Sequence, residues 1–316
     1  MVQYMYRKRK IAVVIPAYNE ERLIAHTIIG VPAYVDFIIP TNDCSKDNTA
    51  DQIQTLARKN RKIHAIDLKT NSGVGGAIMA GHAKALELGA DIIAVMAGDN
   101  QMDPQCLPQL LDEIIDRPCD YAKGNRFRHS EELKTMPKVR LVGNVVVTLM
   151  NKLATGYWSV SDPLNGYTAI TARALRSLDK ARLQPRYDFE ISMLLELADK
   201  RAVVKDVFIP ARYGDEKSKI KLFRDAWRAI QTISKGFLHR IFVRNFLYDS
   251  SIAAFFYIAS GMLFLLATAL SVYVIISAIG EPSPSTGTVM LAVLPWIVGI
   301  QFFLQAVIMD MHNEPN

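Results

Sequence analysis

The chain carries Ile92-Ile93-Ala94-Val95-Met96-Ala97-Gly98-Asp99-Asn100-Gln101-Met102-Asp103-Pro104, an apolar run followed directly by an acidic loop. The apolar run predicts a buried strand, and open α/β sheets bind ligands at the carboxyl ends of their strands. Asp99, Gln101 and Asp103 offer the oxygen ligands that hold magnesium or manganese beside the phosphates of a nucleotide. Alternatively, the loop only turns the chain and caps the helix after Pro104. The stretch therefore predicts an α/β sheet with a site for a nucleotide-linked substrate.

Upstream of this stretch, short β-rich runs alternate with segments of helical periodicity. The predicted strands are 11–15, 35–40, 63–67 and 92–96, and the predicted helices are 20–29, 47–58 and 75–88. This alternation predicts a parallel sheet covered by helices, with the loops 16–20, 41–46, 69–76 and 98–103 clustered after the strands. Beyond residue 103 we expect a helix at 105–115, a strand near 121–124 and a helix at 138–154. We interpret this second part as an acceptor-side half.

Two long apolar runs lie near the end of the chain. Half of the 316 residues are hydrophobic, and the excess is concentrated in residues 252–279 and 289–309. Each run exceeds the roughly 20 residues that cross a bilayer core as a helix. A buried core hairpin is the alternative. Arg240 and Arg244 precede the first run and the link between the runs has no Lys or Arg, which predicts an integral membrane protein with its catalytic part on the cytoplasmic face.

A basic segment precedes the apolar runs. Between residues 217 and 249 apolar side chains recur at helical spacing among Lys and Arg, which predicts amphipathic helices on the membrane surface. An ordinary helix packed on the domain is the alternative. The net charge of +6 fits an anionic partner, and a lipid surface suits it better than nucleic acid. We therefore expect a catalytic domain at 1–213, interface helices at 214–250 and a transmembrane hairpin with a short tail at 251–316.

Three further loops carry motifs. They read Val14-Ile15-Pro16-Ala17-Tyr18-Asn19-Glu20, Asn42-Asp43-Cys44-Ser45-Lys46-Asp47-Asn48-Thr49 and Asn71-Ser72-Gly73-Val74-Gly75-Gly76-Ala77. Together with the acidic loop, they resemble the family-2 glycosyltransferases of the GT-A fold, and within them the polyprenyl (dolichyl) phosphate sugar synthases. The resemblance implies a Rossmann-like domain that binds a nucleotide sugar. The donor-binding residues it implies are Pro16, Ala17, Tyr18, Glu20, Asn42, Asp43, Gly73, Gly76, Asp99 and Asn100.

Some of these residues also have a direct physical interpretation. Asp43 can accept a hydrogen bond from a base N–H, and Glu20 can accept one from the base or ribose; a helix-capping role is the alternative for either. Gly73, Gly75 and Gly76 would let the backbone approach a phosphate or the metal loop. These loops are therefore expected to surround the donor.

The acidic loop departs from the family pattern at one position. The family's metal motif is usually Asp-x-Asp, and Ala97 stands at its first acidic position. The resemblance then assigns Mg²⁺ or Mn²⁺ to Asp99 and Gln101, with diphosphate oxygens and water completing the octahedron. We expect Ala97 to affect the affinity for the metal and the choice of metal more than the reaction itself.

The second half carries the acceptor motifs. Gly124-Asn125-Arg126-Phe127 resembles the family's Gly-Ser-Arg segment, and Arg140 resembles a second arginine that holds the acceptor phosphate. Surface charges or ion pairs are the alternative. The segment 161–167 resembles the family's segment that lines the sugar pocket. Asp162 would hold sugar hydroxyls or orient the acceptor there, and capping a turn is the alternative. The loop 213–219 resembles one that closes over the site. The acceptor-phosphate residues are thus Arg126, Arg140, Arg212, Ser218 and Lys219, and the catalytic ones Asp99, Arg126, Arg140 and Asp162.

The resemblance implies an inverting transfer of a sugar to polyprenyl or dolichyl phosphate. GDP-mannose, UDP-glucose and UDP-N-acetylglucosamine all stay open as donors. A lipid-linked saccharide or polymer acceptor is the alternative, and its hydroxyl would need a base such as Asp103, Asp162 or Glu190. An inactive, membrane-tethered nucleotide-binding protein is a third interpretation. Transmembrane hairpins of this kind can also form homo-oligomers, here through Ser260, Gly261 or Gly299.

Overall fold

The computed structural model describes residues 5–127, 138–210, 222–279 and 283–315. It divides into two compact units, one ending at Ser234 and the other comprising Lys235–Glu314. The predicted acceptor residues Arg212, Ser218 and Lys219 lie outside the described residues. Arg140 lies on a described helix, but its side chain is outside the description.

Seven strands in the described part of the first unit form one sheet, in the order β3-β2-β1-β4-β6-β5-β7. The strands are β1 Ile11–Ala17, β2 Phe37–Asn42, β3 Ile66–Asp67, β4 Ile92–Val95, β5 Tyr121–Asn125, β6 Thr168–Thr171 and β7 Val204–Phe208. The first four run parallel, as the sequence predicts. Strand β6, which the sequence did not predict, runs antiparallel to both β4 and β5. The sheet is therefore mixed, and the α/β Rossmann-like fold class is confirmed.

Helices cover both faces of this sheet. They are α1 Ile24–Gly30, α2 Thr49–Lys59, α3 Gly73–Glu87, α4 Leu107–Asp116, α5 Lys138–Thr155, α6 Ala172–Ser177 and α7 Phe189–Asp199. Alternate residues of β1 enter different cores: Ile11, Val13 and Ile15 pack in one, and Ala12 and Val14 in the other. Burial on both faces explains why β1 is a continuous apolar run rather than an alternating one.

The basic segment forms helix α8 Leu222–Leu238 and a π-helical stretch His239–Tyr248. Part of α8 packs on the first unit, where the Thr232 hydroxyl donates a hydrogen bond to Asp188 at 3.0 Å and Ile233 is buried. Trp227, by contrast, is 62% exposed. The helix therefore combines a packed face with an exposed aromatic side chain, and its placement on a membrane stays a prediction.

The second unit contains helices α9 Ile252–Ser277 and α10 Thr286–His312, both long and apolar enough to cross a membrane. They pack closely, because Ser260 Oγ donates to the Gly299 carbonyl at 2.9 Å and a Cβ on Gly299 would lie 2.9 Å from the Phe264 ring. Ser260 and Gly299 thus pack within the hairpin, and association between copies stays a prediction. Gly261 differs, since a Cβ there would meet nothing within 4 Å.

A buried ion pair also lies within the second unit. Arg240 of the π-helical stretch donates two hydrogen bonds to Asp310 near the end of α10, with side chains 8% and 3% exposed. Such a pair holds the stretch to the carboxyl end of α10, because either charge alone would be costly to bury.

Candidate active site

The ends of β1, β2 and β4 bring the predicted donor loops together. Pro16 and Ala17 close β1, and the Ala17 carbonyl accepts the Asp43 N–H at 2.9 Å. The Pro16 carbonyl accepts the Gly98 N–H at 3.2 Å. Glu20 N–H donates to Thr49 Oγ1 at 2.8 Å. Three loops distant in sequence therefore form one edge, on which Tyr18 and Glu20 are half-buried.

Asp43 caps the third loop. Its carboxylate is 3% exposed and accepts the N–H groups of Ser72 at 2.6 Å and Gly73 at 2.8 Å, at the start of α3. The carboxylate therefore satisfies two of the N–H groups that a helix leaves unpaired at its N-terminus. The helix-capping alternative is thus present in the structure. Each carboxylate oxygen has a second lone pair, so a contact with a base stays a prediction.

The glycines of the third loop pack against a distant backbone segment. A Cβ on Gly73, whose φ is +82°, would lie 2.5 Å from the Pro185 carbonyl oxygen, and a Cβ on Gly75 would lie 2.5 Å from that of Gln184. Gly76 N–H donates to the Pro185 carbonyl at 3.1 Å. This close packing within the chain therefore requires residues without side chains. The approach of Gly73 and Gly76 to a donor phosphate stays a prediction.

Asn42 positions the second loop through its amide. The amide nitrogen donates to Asp67 at 2.5 Å, and the amide oxygen accepts the Ser45 N–H at 3.2 Å. Ser45 Oγ in turn accepts the Asn19 N–H at 3.0 Å. Asn42 is therefore a link between β2, β3 and the first loop.

The acidic loop is a tight turn. Asp99 Oδ1 accepts the Gln101 N–H at 3.1 Å, and Asn100 between them has φ +56°. Met102 Sδ accepts the Ala97 N–H, and Asp103 Oδ1 accepts the Gln105 N–H at 2.9 Å, which caps the following turn. Asp99 and Gln101 are half-buried and so remain accessible.

Within the described ranges, no group of three or more His, Cys, Asp or Glu side chains could hold a metal ion. Asp99 and Gln101 offer the hard oxygen donors that Mg²⁺ or Mn²⁺ prefers. Magnesium is commonly held by one or two carboxylates, with substrate phosphates and water supplying the rest. The donor set therefore fits a cation that arrives with a diphosphate, and it does not fit an all-protein cage.

Arg126 and Asp162, both predicted to lie near the acceptor, form a bidentate ion pair. Asp162 Oδ2 accepts Arg126 Nε at 2.8 Å and Oδ1 accepts Nη2 at 3.1 Å, and Asp162 is fully buried while Arg126 is 32% exposed. The Arg126 backbone N–H also donates to Asp162 at 3.2 Å. Two parallel hydrogen bonds fix the plane of a guanidinium. The structure therefore shows Asp162 orienting Arg126, a role that was not among those predicted for it, and contact of Asp162 with a sugar or an acceptor stays a prediction.

A buried layer of charge lies behind this pair, and the sequence reasoning missed it. Lys123 is fully buried on β5 and donates from Nζ to the Asn165 carbonyl at 2.5 Å. Asp206 of β7 accepts the Ser161 N–H at 2.7 Å and Asn125 Nδ2 at 2.8 Å. Burial raises the pKa of Asp206 to about 6. A lysine in a buried strand was the available signal, because lysine is almost never fully buried without a partner.

An apolar groove lies beside Arg126. It has a volume of about 360 Å³ and is lined by Phe127, Asn144, Val145, Thr148, Leu149, Lys152 and Ser161. The Arg126 guanidinium carbon lies 5.8 Å from the centre of the Phe127 ring. Helix α5 also exposes Val145, Val146 and Leu149 at 60%, 49% and 53%. The positively charged guanidinium of Arg126 therefore lies at the edge of an apolar surface.

Comparison with known proteins agrees with this geometry. The chain is 34% identical over 191 residues to the UDP-N-acetylglucosamine–dolichyl-phosphate N-acetylglucosaminyltransferase of Methanococcus voltae, covering 56% of this chain and 76% of that one. It is 28% identical over 214 residues to the undecaprenyl-phosphate mannosyltransferase of Micrococcus luteus, covering 66% and 87%.

Among solved structures, glucosyl-3-phosphoglycerate synthase from Mycobacterium tuberculosis in complex with Mn²⁺, UDP-glucose and phosphoglyceric acid superposes with a TM-score of 0.58 at 20% identity, over 73% of this chain and 80% of that one. This likeness shows the GT-A fold. The glycosyl transferase family 2 model matches residues 12–179, more than half of the chain. With its donor loops at one edge of a GT-A sheet, this chain belongs to glycosyltransferase family 2.

Proposed function

We propose that this glycosyltransferase moves a sugar from a nucleotide sugar to polyprenyl or dolichyl phosphate, with inversion at the anomeric carbon. The observation that carries the proposal is Arg126, held by buried Asp162 at the edge of the apolar groove. A guanidinium suits a phosphate, and an apolar groove suits the hydrocarbon attached to it. The relatives from Methanococcus voltae and Micrococcus luteus, whose names specify dolichyl and undecaprenyl phosphate, support the same acceptor class.

The donor would lie over the edge formed by β1, β2 and β4. The residues we assign to it are Pro16, Ala17, Tyr18, Glu20, Asn42, Asp43, Gly73, Gly76, Asp99 and Asn100. Asp99 and Gln101 would hold Mg²⁺ or Mn²⁺ there. When bound, the ion would neutralise negative charge on the departing nucleoside diphosphate.

The chain's own residues would act mainly by positioning. A lipid phosphate is anionic near neutral pH, so its oxygen can attack the anomeric carbon without a strong general base. The new carbon–oxygen bond forms as the bond to the nucleoside diphosphate breaks. Arg126 and Arg140 would hold the attacking phosphate on the side opposite to the leaving group, which accounts for inversion. Arg212, Ser218 and Lys219 would add contacts to the acceptor phosphate.

The membrane arrangement follows from the same acceptor. Helices α9 and α10 would span the bilayer, and the basic segment 214–250 would lie on its surface. The catalytic domain 1–213 would then face the cytoplasm, where nucleotide sugars are soluble and the lipid headgroup is within reach. Homo-oligomers are compatible with this arrangement, with Gly261 the small residue that has open space beside it.

The test is radiolabelled transfer in detergent. GDP-mannose, UDP-glucose and UDP-N-acetylglucosamine are offered with polyprenyl phosphate, with and without Mg²⁺ or Mn²⁺, and label is measured in the organic phase. Lipid-linked label from one donor supports the proposal and identifies the sugar. Retained nucleotide binding with no lipid label from any donor would overturn it and favour a hydroxyl acceptor.

Arg126→Ala tests the site itself. We expect transfer to be lost while donor binding stays close to that of the wild type, because the arginine is assigned to the acceptor alone. Arg117→Ala is the matched control, since Arg117 is an exposed arginine paired with Glu113 on α4. Equal loss of donor binding and transfer in Arg126→Ala would contradict the assignment.

A further inference from the structure

Lys123 is a fully buried lysine on β5, between β6 and β7 in the sheet. Its neighbours Tyr121 and Ala122 on β5 are also buried, and its ammonium donates to the Asn165 carbonyl at 2.5 Å. Burying an ammonium is unfavourable unless charges and hydrogen bonds compensate. A strand could hold a Leu or Met here at lower cost, so the charge itself requires an explanation.

Three carboxylates from three different elements interact electrostatically with Lys123. They are Glu190 on α7, Asp162 in the segment before β6 and Asp206 on β7, and the guanidinium of Arg126 opposes them. Asp188 adds further negative charge near Glu190. With every group charged, the three carboxylates face two cations. Removing Lys123 would leave three carboxylates with Arg126 alone.

The hydrogen bonds around Lys123 lead directly to Arg126. Asn165, whose carbonyl accepts from the ammonium, donates from Nδ2 to the Gly124 carbonyl at 2.8 Å and from its backbone N–H to the Asp162 backbone carbonyl at 3.3 Å. A Cβ on Gly124 would lie 2.9 Å from Asn165 Nδ2, so the two segments are in close contact. The end of β5, which carries Arg126, and the segment that carries Asp162 are therefore joined beneath the ion pair.

Asp206 joins the same two segments from the other side. One of its carboxylate oxygens accepts from Ser161, next to Asp162, and from Asn125, next to Arg126. Its other oxygen is buried with no hydrogen-bond partner among the described residues. Burial raises the pKa of both Asp206 and Glu190, and the positive charge of Lys123 opposes the shift in each case. Lys123 therefore supplies buried positive charge to both carboxylates.

We propose that Lys123 is a positioning residue: its ammonium compensates the buried carboxylates around it and, through Asn165, holds the segment that carries Asp162 against Arg126, so that the guanidinium stays in place for the acceptor phosphate. The role of Arg126 toward the acceptor phosphate rests on the proposed function, whereas charge compensation by Lys123 does not. Lys123 itself touches neither donor nor acceptor in this scheme. It acts through Asp162.

The variant Lys123→Met keeps an unbranched side chain that is one atom shorter and removes its charge. We expect the KM for polyprenyl phosphate to rise by about tenfold or more, the change that follows from losing one charge-assisted contact. The KM for the donor should stay within about twofold of the wild type. The acid limb of the pH profile of kcat/KM for the acceptor should move to higher pH. Lys200→Met, at an exposed lysine after α7, is the matched control.

The double variant Lys123→Met/Asp206→Asn separates charge from packing. Asparagine still accepts from Ser161 and Asn125 through its oxygen, while one buried negative charge disappears along with the positive one. We expect the acid limb and the acceptor KM to return toward the wild type. A defect equal to that of Lys123→Met alone would overturn the proposal. If Lys123→Met does not fold, recovery of folded protein in the double variant supports charge compensation, and failure of both counts against it.

Unfolding provides a readout that needs no activity. A raised carboxylate pKa stabilises the folded state at low pH and destabilises it as pH rises through the folded pKa. Lys123→Met should therefore lose more stability, relative to the wild type, at pH 8 than at pH 5.5, and Asp206→Asn should remove that difference. A loss that is equal at both pH values would mean that only the hydrogen bond to Asn165 matters. Absence of wild-type transfer to any lipid phosphate would instead refute the proposed function and leave this result standing.

Discussion

Asp162 and Arg126 form a pair in which a fully buried carboxylate holds a partly exposed guanidinium through two hydrogen bonds, 2.8 Å from Nε and 3.1 Å from Nη2. The carboxylate is hidden from solvent, whereas the guanidinium remains accessible beside an apolar groove. This arrangement lets the arginine be rigid and still reach an anionic ligand. It is the geometric basis for the acceptor site proposed above.

Replacing Arg126 with Lys keeps the charge and removes the planar fork. Lysine cannot donate two parallel hydrogen bonds to Asp162, so we expect the KM for polyprenyl phosphate to rise by roughly tenfold or more with donor KM unchanged. Steady-state kinetics in detergent measures both constants. Arg117→Lys, directly after α4, serves as control and should match the wild type. A wild-type acceptor KM in Arg126→Lys would show that the fork geometry is unimportant.

Replacing Ala97 with Asp restores the acidic residue usual in the family's metal motif. Ala97 is half-buried and lies two residues before Asp99, on the same loop. A second carboxylate should strengthen binding of a hard divalent cation. We expect half-maximal transfer at a lower concentration of Mn²⁺ or Mg²⁺ than in the wild type. An unchanged metal requirement would indicate that the cation does not approach this loop.

Replacing Asp43 with Asn tests its capping role at α3. One carboxylate oxygen becomes an amide that cannot accept the N–H of Ser72 or Gly73, so one buried donor loses its partner. We expect a loss of about 2 kcal/mol in the free energy of unfolding. Asp51→Asn, at an exposed position on α2, should cost little. Chemical denaturation of both variants gives the comparison, and equal stability would contradict the cap.

His82 on α3 should make the protein sensitive to acid. It is 4% exposed, both ring nitrogens are without hydrogen-bond partners among the described residues, and burial lowers its pKa from 6.5 to about 4. A lowered histidine pKa contributes stability that is full above the unfolded value of 6.5 and is lost as pH falls toward 4.

His82→Leu should therefore reduce the acid sensitivity of unfolding. We expect the wild type to lose up to about 3 kcal/mol more than His82→Leu between pH 7 and pH 4. His26→Leu, at an exposed histidine of α1, should behave like the wild type. Parallel pH dependences for wild type and His82→Leu would show that His82 is not the group responsible.

The ion pair between Arg240 and Asp310 should matter most when only one partner is lost. Asp310→Asn removes the negative charge that Asp310 supplies to a buried guanidinium, and we expect a cost of about 3 kcal/mol. The double variant Arg240→Met/Asp310→Leu should recover much of that stability. Thermal unfolding in detergent measures these values, with Lys235→Met at an exposed lysine as control. A double variant less stable than Asp310→Asn would refute this explanation.

The sequence alone was sufficient for the local architecture of the chain. Apolar runs bounded by polar loops predicted β1, β2 and β4, and helical periodicity predicted α5 at 138–154, against Lys138–Thr155 in the structure. The two apolar runs correspond to α9 and α10. The family and the GT-A fold are also confirmed. These features depend on residues close together in the chain, so their periodicity and motifs are visible without a structure.

Only the tertiary structure decided which distant groups meet. Strand β6 lies between β4 and β5, a pairing that no short segment encodes. Lys123 finds its acceptor 42 residues away at Asn165, and Asp206 joins segments 45 and 81 residues away. Periodicity shows that a position is buried, but it does not show which charge or carbonyl shares that position. The partners of buried polar groups, and hence the geometry of Arg126 at the proposed acceptor site, therefore follow from long-range packing.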